Sequence, residues 1–391
     1  ESPCFSKYAF YFNIIEKKFR MCGIVAVTGY KKALPLLMNG LEKLEYRGYD
    51  SAGIAIVNSE TKNITCNKAE GKLKNLIKNL NDKNMPGTVG IGHTRWATHG
   101  KPEIKNAHPH TNSSGTIAVV QNGIIENFQD LKNKLQKEGV IFNSDTDTEV
   151  IPHLIQRELN TLSKLNLDKN GSTLLVAVRN VISDLEGSYA LAVLWADAPT
   201  ALVVARRQAP LIIGLGEGEF ICASDTPAIA NFTNIILPME DEEIALLTPL
   251  GIEIYDSNNE RQYRSPVSLK VSEQIMDKMN FKHYMLKEIY DQPETAKNWL
   301  KNYLIKNLEN GKYQINYPFD TKFFDSIERI EIIACGTSKH AAMVGKFLLE
   351  QFSGIPTNVF YASEFRYSPP PLLPNTLTIG VTQSGETADT I

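Results

Sequence analysis

Residues 21–27 read Met21-Cys22-Gly23-Ile24-Val25-Ala26-Val27, which sets a cysteine directly before a short, apolar, β-branched run. Such a run predicts a buried strand. If Met21 is removed, Cys22 becomes the first residue and its thiol lies beside its own α-amino group. Because that amine titrates at about 7.7–8.0 and the thiol at about 8.5, either group can hold the proton near neutral pH. A base then stands next to a good nucleophile, as acyl transfer requires.

The twenty residues before Met21 do not have the pattern of a secretory signal. Their aromatic-rich stretch, residues 8–15, has no net positive charge before it, since Glu1 offsets Lys7, and no small-residue cleavage site comes after it. We interpret residues 1–20 as upstream or non-native sequence and Met21 as the initiator, so that residues 1–21 form an extension before the first domain.

Composition excludes several classes of function. The net charge of −3 provides no attraction for nucleic acid or an anionic membrane, and no apolar run reaches the roughly 18–20 residues of a membrane span. The five cysteines are scattered without a C-x-x-C pair, which argues against a zinc or thioredoxin-like site and favours a reduced, cytoplasmic compartment.

Up to about residue 255, short β-branched runs alternate with a few amphipathic segments. Helices are predicted at Lys32–Leu44, Asn127–Lys137 and Thr148–Leu159. Strands are predicted at Gly23–Val27, Ala52–Val57, Thr88–Gly92, Thr116–Val120, Ser188–Trp195, Leu202–Ala205, Leu211–Leu215, Phe220–Ala223 and Glu243–Thr248. Many strands with few helices indicate a layered α+β domain over residues 22–255.

After residue 255 the sequence becomes polar, and the pattern of helices and strands beyond this polar stretch is different. Residues 256–265 suggest a surface hairpin or a linker, and we assign residues 256–280 to the linker. Helix is predicted from Glu273, through His283–Ile289 and Thr295–Leu308. Strands at Arg329–Ala334, Thr357–Tyr361 and Thr376–Val381, with a helix at Ser338–Phe352, predict a parallel α/β sheet. We expect this second domain, residues 281–391, to be truncated, because the sequence stops as a new helix begins.

Polar residues suited to acyl transfer follow Cys22. Asn122-Gly123 can supply a side-chain amide and a backbone N–H to an oxyanion from one tight turn, although Asn-Gly is also a common hairpin dipeptide. Arg95 can bind a carboxylate and Asp147 an α-ammonium group, although either alone is more typical of a solvated surface charge. The spacing of His93, His99, His108 and His110 matches no helical metal pair, so we predict no metal site.

Six segments together resemble the class II glutamine amidotransferases. They are 21–25 (MCGIV), 44–53 (LEYRGYDSAG), 93–100 (HTRWATHG), 106–110 (NAHPH), 122–127 (NGIIEN) and 146–149 (TDTE). The resemblance spans residues 22–255. It implies an N-terminal-nucleophile hydrolase with a four-layer αββα fold.

Carried over residue by residue, the resemblance implies Cys22 as the nucleophile, with Asn122 and Gly123 forming the oxyanion hole. It implies a glutamine site made by Arg95, Thr98, His99, Gly123 and Asp147, and a gate for ammonia at Trp96. Gln121 departs from the family, which usually has His before Asn-Gly. We assign no chemistry to that position.

Two hydroxyl-rich turns follow strands of the second domain, 335–338 (CGTS) and 383–387 (QSGET). Open α/β sheets bind ligands at the carboxyl ends of their strands, and free N–H groups at a helix start suit a phosphate monoester. Ser and Thr at such turns can also be simple N-caps. No G-x-x-x-x-G-K-[ST] motif indicates a nucleotide phosphate.

The second domain resembles the sugar isomerase domain in segments 283–293, 334–338, 362–367 and 383–390. The resemblance implies that a sugar phosphate is held by six side chains: Thr337, Ser338, Thr382, Gln383, Ser384 and Thr387. Thr382 replaces the usual Ser and keeps the hydroxyl.

Together the two resemblances imply glutamine-dependent amination and isomerisation of fructose 6-phosphate to glucosamine 6-phosphate, the first step of hexosamine synthesis. They imply a homo-oligomeric cytoplasmic enzyme without cofactor or metal, which binds neither nucleic acid nor membrane. The family's lysine, glutamate base and ring-opening histidine for the sugar lie beyond Ile391, so we expect only glutamine hydrolysis from this chain.

Two alternatives remain: a stand-alone glutaminase, and a sugar-phosphate sensor whose amidotransferase domain no longer reacts. The presence of Cys22 together with Arg95, Asn122 and Asp147 argues against the sensor.

Overall fold

The computed structural model describes residues 22–45, 48–80, 85–96, 101–269, 281, 284–306, 313–315, 321–371, 373–382 and 390. The chain divides into two compact units near residue 270. Among the described residues, no helix is both long and apolar enough to cross a membrane.

Two antiparallel sheets form the first unit. One has eight strands in the spatial order β15 (Val267–Ser268), β11 (Ile235–Pro238), β9 (Ile212–Leu215), β10 (Glu219–Ala223), β1 (Gly23–Gly29), β4 (Val89–Arg95), β2 (Ser51–Asn58) and β3 (Asn63–Glu70). The other has seven, in the order β14 (Arg261–Gln262), β13 (Gly251–Tyr255), β12 (Ile244–Thr248), β8 (Leu202–Arg207), β7 (Gly187–Trp195), β6 (Ile117–Ile125) and β5 (His110–Thr111). We call them the β1 sheet and the β6 sheet.

Helices cover the outer face of each sheet. On the β1 sheet they are α1 (Ala33–Leu44), α2 (Leu73–Leu80) and the short α6 (Pro227–Ala230), and on the β6 sheet α3 (Phe128–Lys137), α4 (Val150–Lys164) and α5 (Gly171–Ser183). A short 3₁₀ helix spans Ile104–Asn106.

Alternation along the strands creates three apolar cores. In β6, Ile117 and Val119 pack with the helices, whereas Ala118 and Val120 pack against the other sheet. This period of two is expected for a strand with both faces buried. Helices, sheet, sheet and helices therefore form four layers, which confirms the predicted αββα fold.

The structure adds elements that the sequence pattern did not predict. The strand β3 has a polar sequence and lies at the edge of its sheet, where a strand needs little apolar surface. The helix α5 does carry a start signal, since the side chain of Asn170 accepts a hydrogen bond from Thr173 N. Because β13, β14 and β15 pair within the two sheets, the first unit reaches beyond residue 255 and includes part of the predicted linker.

The second unit contains a parallel sheet, as predicted. Its elements are α7 (Tyr284–Tyr303), β16 (Leu304–Lys306), β17 (Tyr313–Ile315), a 3₁₀ helix (Thr321–Phe323), β18 (Arg329–Ala334), α8 (Gly336–Ser353), β19 (Thr357–Tyr361), α9 (Ala362–Tyr367) and β20 (Thr376–Val381). The strand β18 lies between β19 and β20 and runs parallel to both.

The helical prediction before this sheet needs correction. The segments predicted at 283–289 and 295–308 form the single helix α7 with Pro293 inside it, and the chain becomes the strand β16 after Tyr303. Pairing of β16 with β17 overrides the helical pattern there. The helix predicted from Glu273, and the position of His283, lie outside the described residues.

Candidate active site

Cys22 lies at the start of β1, in the middle of its sheet. The register pairs Gly23 with Thr94 on β4, so Cys22 comes next to the end of that strand. The backbone N–H of Trp96 donates to Cys22 Sγ at 3.2 Å. The thiol in turn donates to the backbone oxygen of Trp96 at 3.5 Å, so two contacts with Trp96 hold the sulfur at the end of β4.

Asn122 and Gly123 lie inside β6. The predicted tight turn is therefore wrong, because pairing with β7 continues through both residues to Ile125. Gly123 has a φ of +104°, and an added Cβ would lie 2.1 Å from the carbonyl oxygen of Ser188. Only glycine fits at this position.

The N–H of Gly123 lies on the side of β6 away from β7, beyond the two residues that pair with β5. Alternate N–H groups of a strand point to the same side. Gln121 N donates to His108 Nδ1 at 3.2 Å, and Ile125 N donates to Asp147 Oδ2 at 2.8 Å. The Gly123 N–H lies between these two on the same side, where it can donate to a bound oxyanion.

Arg95 and Asp147 are buried, with 3% and 5% of their surface exposed. The reading of each as a solvated surface charge is therefore wrong. Burial lowers the pKa of Arg95, and the nearby charges of Cys22, Asp50 and Asp147 act in the opposite direction. Two buried charges of opposite sign are suited to a ligand that carries both signs.

Residues from several strands and turns line one cavity of about 20 Å³. Its lining includes five residues predicted from sequence, Cys22, Arg95, Trp96, Gly123 and Asp147. It also includes three that the prediction missed, His108, Gln121 and Thr146. The volume holds about one water molecule, so an amino acid requires the lining side chains to move apart. Thr98 and His99 lie outside the described residues.

Three buried histidines form a cluster at this cavity, and His108 is the member that lines it. His93 stacks on His108 with ring centroids 4.2 Å apart, and His108 meets His110 edge to face at 4.8 Å. His93 Nε2 lies 3.0 Å from Asn122 Oδ1. Burial is the main cause that lowers the pKa of His93 to about 3 and holds those of His108 and His110 well below 6.5. All three rings are neutral at pH 7.

These histidines predict a loss of stability in mild acid. In the unfolded chain they titrate near 6.5, so below that pH the unfolded state binds more protons than the folded state. The free energy of unfolding then falls as the pH falls from about 6.5 toward 3, by up to about 1.4 kcal/mol per pH unit for each such histidine. Urea denaturation at pH 7 and pH 5 measures the difference.

A matched pair of variants assigns that effect. His110→Phe removes one buried titrating ring and is expected to flatten the pH dependence. The replacement His340→Gln, at an exposed position in the second unit, is expected to leave it unchanged. An equal free energy of unfolding at pH 7 and pH 5 would contradict the prediction.

The second unit collects hydroxyl groups at one edge of its sheet. Parallel pairing sets Ala334 at the end of β18 beside Val381 at the end of β20, so Thr382 lies at the same edge as the start of α8. Thr337 and Ser338 lie in the first turn of α8. The N-cap is Cys335, without a side-chain cap bond, so the simple N-cap reading is wrong for these two residues. Gln383, Ser384 and Thr387 lie outside the described residues.

Each of the two units matches a known domain family. Residues 93–231 match the family model of the glutamine amidotransferase domain, and residues 323–391 match that of the SIS domain. In fold, the chain is similar to the glutamine phosphoribosylpyrophosphate amidotransferase of B. subtilis, with a TM-score of 0.51 at 22% identity over 86% of this chain and 65% of that one.

Two relatives with the same name match most of the sequence. The glutamine–fructose-6-phosphate aminotransferase (isomerizing) of Thermosynechococcus vestitus is 54% identical over 95% of this chain and 58% of its own length. That of Nostoc sp. is 52% identical over 95% of this chain and 58% of its own length. The chain thus spans 58% of the length of these relatives. By sequence and domain content, it belongs to the family of the glutamine–fructose-6-phosphate aminotransferases.

Proposed function

We propose that the first unit hydrolyses glutamine to glutamate and ammonia through a thioester on Cys22. One observation carries the proposal: Cys22, Gly123 and a buried pair of opposite charges line a single cavity. The second proposed oxyanion donor, the Asn122 amide, lies beside Cys22 and donates to its carbonyl oxygen. Arg95 binds the α-carboxylate of glutamine, and Asp147 binds its α-ammonium group. This orientation leaves the side-chain amide of glutamine for Cys22.

The chemistry follows from these groups. The α-amine of Cys22 takes the thiol proton and becomes an α-ammonium group as the sulfur attacks the amide carbon. The C=O electron pair moves onto oxygen, where Asn122 Nδ2 and Gly123 N–H stabilise it. The C–N bond then breaks, and nitrogen leaves as ammonia with a proton from the α-ammonium group of Cys22. Water attacks the thioester in the same way, releases glutamate and restores the thiol.

For the whole protein, we propose that this ammonia aminates fructose 6-phosphate, with Trp96 as the gate for its passage. The names of the relatives support this acceptor. In the second unit, free N–H groups in the first turn of α8 and the hydroxyl groups of Thr337, Ser338 and Thr382 suit the phosphate. Isomerisation of the aminated sugar then yields glucosamine 6-phosphate.

Glutamate release from glutamine tests the first step, and the replacement Arg95→Lys tests the binding model. Lysine keeps the charge but cannot form the two parallel hydrogen bonds of a guanidinium with a carboxylate. We expect the KM for glutamine to rise about 10–100-fold, with a smaller change in kcat, because the carboxylate is bound equally in the ground and transition states.

A surface arginine provides the matched control. Arg157 forms an ion pair with Glu138 on the outer helices, away from the cavity, and Arg157→Lys is expected to change neither constant. An unchanged KM in Arg95→Lys would contradict the assigned role. A wild-type protein that releases no glutamate would contradict the proposed function itself.

A further inference from the structure

His93 connects the β1 sheet to the proposed oxyanion hole. It is completely buried on β4, two residues before Arg95 and therefore on the same strand face. Its Nε2 atom lies 3.0 Å from Asn122 Oδ1 and 3.1 Å from the backbone oxygen of Gln121. Both contacts come from one nitrogen of one ring.

Two backbone carbonyls determine where the protons lie in this group of contacts. The carbonyl of Gln121 can only accept, so His93 Nε2 carries the hydrogen. The Asn122 atom facing that N–H is therefore the amide oxygen. The amide nitrogen then faces the other way and donates to the carbonyl oxygen of Cys22 at 2.9 Å. A flipped amide would set oxygen against oxygen at Cys22 and N–H against N–H at His93.

We propose that His93 is a positioning residue, whose N–H holds the Asn122 amide with its NH₂ group toward the carbon that Cys22 attacks. The inference rests on the proposed glutamine hydrolysis and deepens it. Without the histidine N–H, only the bond to the Cys22 carbonyl oxygen orients the Asn122 amide, so the amide can rotate more easily and present its oxygen to the developing oxyanion. An oxygen lone pair in that place repels the negative charge that the hole must stabilise.

The surroundings of the ring preserve this donor. Stacking on His108 and complete burial restrain the ring. The pKa of His93, lowered to about 3 mainly by burial, keeps the ring neutral with its single hydrogen on Nε2. Among the described residues, Nδ1 has no hydrogen-bond partner, as expected for the unprotonated nitrogen of this tautomer.

The replacement His93→Phe tests the proposal in the protein processed to begin at Cys22. Phenylalanine keeps a ring that can stack on His108 but lacks the N–H. We expect kcat for glutamine hydrolysis to fall about 10²–10³-fold, the effect of losing one oxyanion donor. The KM is expected to change less than about threefold, since Arg95 and Asp147 still bind the substrate.

A second reaction of Cys22 separates positioning from loss of structure. Methyl methanethiosulfonate transfers its CH₃S group to the thiolate, so an S–S bond forms and methanesulfinate leaves with the electron pair. No oxyanion develops on carbon, and the reaction therefore does not need Asn122. The rate of labelling at Cys22, followed by peptide mass mapping, is expected to stay within about twofold of the wild-type rate in His93→Phe.

Two further variants test whether His93 acts through Asn122. His93→Gln supplies an amide N–H at a similar reach and is expected to recover part of the lost kcat. In the double variant of His93→Phe with Asn122→Ala, kcat is expected to be no lower than in Asn122→Ala alone, because the amide to be positioned is absent.

The outcomes are distinguishable. Unchanged kcat in His93→Phe, multiplied losses in the double variant, or labelling of Cys22 that slows together with hydrolysis would each overturn the inference. A wild-type protein that releases no glutamate would instead overturn the proposed function on which the inference rests.

Discussion

Replacing Cys22 with alanine is expected to abolish glutamine hydrolysis. The variant loses the sulfur that forms the thioester, whereas Gly123, Arg95 and Asp147 keep their places around the cavity. Removal of a catalytic nucleophile typically lowers kcat by about 10⁴–10⁶-fold. Glutamate release, measured with a glutamate-specific coupled assay, gives the rate. Glutamine binding is expected to persist, because the groups proposed to hold its α-carboxylate and α-ammonium are unchanged.

Cys66 provides the matched control for this variant. It is a half-buried free thiol on the strand β3 and does not line the cavity. Cys66→Ala is expected to retain the wild-type rate. Residual hydrolysis in Cys22→Ala, or an equal loss in both variants, would rule out Cys22 as the nucleophile.

A free amine on Cys22 is expected to be essential as well. If residues before Cys22 remain attached, its nitrogen belongs to a peptide bond and cannot take a proton from the thiol or deliver one to ammonia. Loss of a general acid and base costs about 10²–10⁴-fold in rate. The full 391-residue chain and a form that begins at Cys22 after loss of Met21 are therefore expected to differ by at least this factor.

The comparison needs two checks. Mass spectrometry identifies the first residue of each form, and thermal unfolding establishes that both are folded. Equal rates of glutamate release from the two folded forms would refute catalysis by the N-terminal amine and would require another base.

Secondary structure was most predictable where short runs of β-branched and aromatic residues lie between turn residues. The sequence bounds of β19 and β20 agree with the structure at both ends, because a β-branched run between polar turns has one favourable arrangement. The polar edge strand β3 was missed, since pairing along its backbone rather than apolar burial keeps it in the sheet. The local pattern of residues 304–306 predicts helix, but these residues form a strand because they pair with β17, a partner that local pattern does not reveal.

The candidate site was only partly predictable for a similar reason. Residue type alone marks several candidate catalytic and binding residues: a cysteine before a buried strand, an Asn-Gly pair, and the charged residues Arg95 and Asp147. That these groups face one cavity depends on the pairing of strands far apart in sequence. The cavity is also lined by Gln121, His108 and Thr146. Their own segments do not predict this position, because nothing in them indicates which strand or turn these side chains will face.

Residue types and their order were enough to indicate the available chemistry and a layered α+β domain. The four-layer arrangement was implied by the resemblance of six segments to a known family. The folded structure was needed to show that Asn122 and Gly123 lie within a strand and that the Asn122 amide meets His93 Nε2. The direction of an amide depends on the hydrogen-bond donors and acceptors around it. Here those groups come from the start of β1, from β4 and from β6, which meet only in the folded chain.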